Sequence, residues 1–119
     1  MATIKSYTDL EQSRKLAKIL STETADMFHL IHDNYNDTIR FGYEKNAEEF
    51  YSKTKFEYIP CWSLSALLGV IPNYKLSSEH NHHTCTAETN FGKETVAWFD
   101  NPVDACYDMI IKLKEQNLI

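Results

Sequence analysis

The densest collection of metal-binding groups in the chain is Glu79-His80-Asn81-His82-His83, followed by Cys85 two positions on. Neutral imidazole and thiolate are ligands that a borderline ion such as zinc prefers. The spacing departs from the Cys/His frameworks of structural zinc sites. Contiguous His-Asn-His is also not the nuclease motif of the same letters, whose residues are spread over a strand, a helix and a metal-bearing loop. The segment therefore reads as a polar hairpin tip with solvated histidines. His80, His82 and His83 stand as metal candidates, and neither a metal nor any other cofactor is expected.

His29 and His32 are three apart, a spacing that aligns side chains on a helix but alternates faces on a strand. The strand reading of this segment separates them. Nucleophiles are offered by Cys61, Ser63 and Ser65, but no Gly-x-Ser-x-Gly elbow or cysteine-protease signature surrounds them. Cys61 follows Pro60 at the expected start of a helix, where the helix field favours a thiolate, so it is the reactive-thiol candidate. The three glycines, Gly42, Gly69 and Gly92, form no phosphate loop or dinucleotide fingerprint.

Seven Tyr, six Phe and two Trp supply faces on which a base could stack. Tyr58, Trp62 and Trp98 are the candidates for such a pocket. Trp62 and Ser63 stand where a strand end meets a helix start, so backbone amides there could receive a small anion.

These groups must be positioned by short elements. Thr8-Asp9-Leu10-Glu11 has capping-box spacing, predicting a helix from about Asp9 to Leu20 with Leu10, Leu16, Ala17, Ile19 and Leu20 on its buried side. Met27, Phe28, Leu30 and Ile31, the polar run 33–37 and the β-branched and aromatic stretch 38–43 suggest a hairpin. Residues 44–58 fit a short helix around Ala47, Phe50 and Tyr51 as well as a strand at Phe56-Glu57-Tyr58-Ile59. After Pro60, Leu64, Leu67, Leu68 and Ile71 recur at helical spacing until Pro72. Three strands, 74–80, 84–89 and 94–99, then form an antiparallel meander through Asn81-His82-His83 and Asn90-Phe91-Gly92-Lys93. The last helix is capped by Asn101, with Pro102 first, Asp104 near its positive end and Lys112 and Lys114 near its negative end.

The expected fold is α+β, one domain over residues 1–119, with an antiparallel sheet packed by helices in the order α-β-β-α-β-β-β-α. The last five elements share the bare order of a double-stranded RNA-binding domain. The formal charge of −5, from 12 basic and 17 acidic side chains, and the lack of a basic helix terminus count against duplex nucleic acid as a partner. With 43% apolar and 24% charged residues the chain has globular composition. Three cysteines without a C-x-x-C pair indicate free thiols and a reducing, cytoplasmic setting. The first residues lack an apolar leader core, and the longest apolar stretch, 64–72, is far short of a membrane span.

Three stretches resemble one group of proteins: Tyr7-Thr8-Asp9-Leu10-Glu11-Gln12-Ser13-Arg14-Lys15-Leu16-Ala17 with Thr24-Ala25-Asp26-Met27, then Ile59-Pro60-Cys61-Trp62-Ser63-Leu64-Ser65-Ala66-Leu67-Leu68, then Asp100-Asn101-Pro102-Val103-Asp104-Ala105-Cys106. The group is one of small uncharacterised proteins encoded by gut anaerobes and their phages or other mobile elements. The resemblance implies a setting, since mobile-element accessory proteins often bind host factors or signalling molecules. It implies no activity, cofactor or catalytic residue. The leading expectation is a non-enzymatic interaction protein, a homo-oligomer among the forms it could take, with an unidentified protein as partner. A small-molecule binder that sequesters a nucleotide signal is the second reading, and a metal- or thiol-dependent enzyme the third.

Overall fold

The computed structural model describes residues 5–32, 38–41 and 56–119. The first helix, α1 (Leu10–Ala17), starts one residue later than its sequence suggests. Asp9, not Thr8, is its cap: the Asp9 carboxylate accepts from the Gln12 N–H and the Gln12 side chain accepts from the Asp9 N–H. Thr8 is drawn inward instead and is wholly buried. The helix stops at Ala17, short of the predicted Leu20, and Ser21 caps a short 3₁₀ turn over Thr22–Thr24.

β1 (Met27–His32) pairs antiparallel with β2 (Thr38–Phe41), as the hairpin reading expects. Its other side pairs with β3 (Phe56–Cys61), so the first sheet has the order β2-β1-β3. β3 is the strand alternative for the ambiguous stretch, and it runs through Pro60 and Cys61. Among the described residues β3 is an edge strand, the place in a sheet where proline is tolerated. The helix alternative at Ala47, Phe50 and Tyr51 lies outside the described residues. Ser63 caps α2 (Leu64–Val70) by accepting from the Ala66 N–H.

β4 (Lys75–Glu79), β5 (His82–Thr89) and β6 (Gly92–Phe99) form the expected meander, in the order β4-β5-β6. Gly92 closes the second hairpin at φ +121, a conformation that L side chains rarely adopt. α3 (Pro102–Glu115) has the predicted punctuation, with the Asp104 N–H donating to Asn101 Oδ1 at 2.8 Å. It lies across β5 and β6 and packs against α2.

The protein is thus α+β, and the strand at residues 56–61 is the addition to the expected order. Alternation along β5 sends Cys85 and Ala87 inward to meet Val96 and the Val103, Cys106, Met109, Ile110 and Leu113 stripe of α3. The opposite face of β4-β5-β6 carries Lys75, Ser77, Glu79, His82, Thr84, Thr86, Thr95 and Trp98, all exposed or half-buried. No helix among the described residues is long and apolar enough to cross a membrane.

Candidate functional site

The histidine cluster straddles the first turn of the meander. The turn residues are His80 at φ +50 and Asn81 at φ +64, a pair of left-handed conformations that a two-residue hairpin requires. Asparagine and histidine are among the side chains that tolerate it best. His82 and His83 therefore belong to β5 and not to the tip. Consecutive strand residues point to opposite faces. His82 stands on the open face, whereas His83 contacts the Ser78 hydroxyl through Nδ1 at 3.0 Å. Cys85 is sealed in the core. Among the described residues no group of three His, Cys, Asp or Glu side chains is placed to hold a metal ion.

What this end of the sheet does assemble is an aromatic hollow. The β5–β6 register pairs His83 with Phe99 and Cys85 with Val96, so β6 carries one extra residue between them. This bulge places Trp98 at φ +72. Bulges of this kind usually use glycine at the left-handed position. With tryptophan there, the side chain is swung out of the ladder and stays 74% exposed. Its ring meets His82 edge-on, with centroids 5.0 Å apart and planes at 62°. Glu79, opposite His82 on β4, completes a rim with His80 around Thr84 and Ala97, enclosing about 290 Å³. Glu79 Oε1 lies 3.7 Å from His80 Nε2 on this rim.

The other aromatic candidates are elsewhere. Trp62 is wholly buried, and its indole N–H donates to Thr24 Oγ1 at 2.9 Å. It packs the core and has no face left for a ligand. The start of α2 is equally committed, because Asp26 accepts from the Ser63 N–H at 2.9 Å and from the Ser63 hydroxyl. A carboxylate already in that position repels an anion. Tyr58 lies on the first sheet with its ring 4.9 Å from Phe28. It lines a separate hollow with Arg14 and Lys18, where the Arg14 guanidinium is paired to Glu57 at 2.6 Å. The expected grouping of Tyr58, Trp62 and Trp98 is therefore divided among three places.

Cys61 is not at a helix start: it ends β3, fully buried, with its thiol 3.4 Å from the Thr8 carbonyl. Cys85 and Cys106 are buried as well. The contact with Cys85 and burial push the Cys106 thiol up and keep it protonated. Around Cys61 lies a polar knot that sequence reasoning missed. His29 Nε2 sits 3.0 Å from Ser13 Oγ and 3.1 Å from the Thr8 carbonyl, and the Thr8 and Ser13 hydroxyls are 2.7 Å apart. A serine beside a histidine is the pairing that activates a nucleophile. Here Thr8, Ser13 and Cys61 have no exposed surface, so no substrate reaches them and the contacts serve to satisfy buried polar groups. Its sequence signal is slight, two hydroxyl residues flanking a helix start. His32, the other member of the histidine pair, belongs to the same strand as His29, and only the His29 side chain is described.

No family model matches the chain, and no curated protein or solved structure matches it significantly.

Proposed function

We propose that this protein is a non-enzymatic interaction module that engages a partner protein through the open face of its second sheet, centred on Trp98. The observation that carries this reading is Trp98 itself, a bulky side chain at φ +72 and 74% exposed. A left-handed non-glycine residue costs roughly 1–2 kcal/mol. Backbone strain of this kind clusters at sites where it serves function. Tryptophan, with tyrosine and arginine, is enriched among the residues that anchor protein contacts. The Ser13–His29 contact, nearest in form to a catalytic pair, is sealed from solvent. The resemblance to mobile-element proteins supports a bacterial cytoplasmic setting, with a host or element-encoded protein, or a second copy of this chain, as the partner.

A photo-cross-linking amino acid at Thr95, on the same open face, tests the reading in cells producing the protein. A discrete adduct is expected from Thr95, absent from a control position at Glu115 and lost when Trp98→Ala is added. Equal labelling from both positions, or an adduct indifferent to Trp98, removes the face from consideration. Adduct mass separates a second copy from a different protein.

A further inference from the structure

We infer that the group received by the Trp98 hollow is a cationic side chain, an arginine or lysine of the partner, lying over the indole and paired with the Glu79 carboxylate. This deepens the interaction reading and rests on it. Three adjacent strands present the parts in sequence: Glu79 on β4, His82 opposite it on β5, and Trp98 on β6. Strands lie about 4.8 Å apart, so carboxylate and indole columns are separated by roughly 10 Å, with the imidazole between them.

An extended arginine spans that distance. Its aliphatic stem and the near edge of its planar guanidinium cover the aromatic face, while the far end of its N–H fork donates to the carboxylate across the same hollow. Among aromatic side chains tryptophan attracts a cation most strongly. Thr84 and Ala97 are small and keep the floor of the hollow open, and among the described residues no lysine or arginine lines it. Glu79 and the overall charge of −5 draw a cation and repel an anion. The partner's route onto the sheet is also narrowed. Strand addition along β6 is disfavoured where the bulge disturbs that edge strand.

Two tryptophans, one buried and one exposed, make the test direct, because their indole N–H resonances are separately observable and Trp98→Phe assigns them. The probe is a nonapeptide with three arginines spaced by glycine, compared with its counterpart bearing neutral citrulline at each arginine. The arginine peptide is expected to shift the Trp98 signal saturably and to leave the Trp62 signal unmoved. Its affinity should exceed that of the citrulline peptide by roughly tenfold. Glu79→Gln should weaken binding roughly threefold, and added salt should weaken it further. Trp98→Ala should abolish binding with the remaining backbone spectrum unchanged.

Equal binding of both peptides would overturn the cationic assignment and leave the interaction reading standing on the cross-link. No shift with either peptide would also overturn the assignment. If the Thr95 cross-link is missing too, both readings fall together.

Discussion

Thr8 shows how one hydroxyl decides a local structure. Its Oγ1 accepts from the Trp62 N–H at 3.1 Å and lies 2.7 Å from Ser13 Oγ, while its own N–H donates to the Trp62 carbonyl at 2.9 Å. As a capping residue it would have spent that oxygen on the first turn of α1. Asp9 takes the cap, and Thr8 is free to hold the end of β3 against α1. Thr8→Val keeps the shape and strands a buried N–H, an omission that costs roughly 1–3 kcal/mol. The urea midpoint should fall accordingly, with the denaturant slope unchanged. An unmoved midpoint would mean that the knot around His29 and Cys61 adds nothing to stability.

At the scale of an element, the bulge in β6 is the feature with the clearest consequence. It inserts one residue between the His83–Phe99 and Cys85–Val96 pairs and turns Trp98 away from the ladder. If the positive φ is a strain retained for binding, glycine relieves it and alanine does not. Trp98→Gly is therefore expected to be more stable than Trp98→Ala by roughly 0.5–1 kcal/mol, read from thermal melts, with both variants losing the peptide response. Equal melting of the two would show that the left-handed conformation carries no cost here.

At the scale of the whole molecule, the two sheets are joined by the segment before α1. Tyr7 bridges to Ser63, and the Leu64 N–H donates to the Ser6 carbonyl. Lys5 reaches Asp104 at the start of α3 at 2.7 Å, and the Gln12 amide donates to the same oxygen at 2.8 Å. Burial alone would raise the Asp104 carboxyl. Hydrogen bonds from Lys5, Gln12 and Asn101, with the lysine's charge, outweigh it and hold the group below its ordinary 3.8. Burial likewise opposes the Lys5 charge, but its bonds to Asp104 and Asp9 leave it above its ordinary 10.5.

A depressed carboxyl stabilises the fold fully above its unfolded value and loses that contribution as pH falls through the folded value. A raised amine does so below its unfolded value and loses it as pH rises through the folded one. The tie is thus intact across the neutral range, weakens below about pH 3.8 and again above about pH 10.5. Asp104→Asn should lower stability near neutrality by about 0.5–1 kcal/mol and flatten the acid limb of the urea-midpoint profile. An acid limb of unchanged steepness would place the acid sensitivity elsewhere.

Local chemistry was enough to read the α+β class, the meander, α2 and the capped α3. Asn101-Pro102, the turn residues between strands and the 3.6-residue stripe of α3 act within a few positions of one another. The strand at residues 56–61 was ambiguous because its partner β1 is some thirty positions away, and pairing at that distance has no local signature. The candidate site is legible as residue types only: Trp98 stands out as an aromatic candidate and Glu79, His80 and His82 as one polar cluster, while the register that sets Glu79 opposite His82 and the bulge that brings Trp98 to them come from strand pairing. Trp62 and Cys61 look equally available on paper. Burial closes both, because the fate of an aromatic ring or a thiol depends on which elements fold over it, and one extra residue in β6 leaves Trp98 the most exposed of the three aromatic candidates, with Tyr58 half-buried and Trp62 sealed.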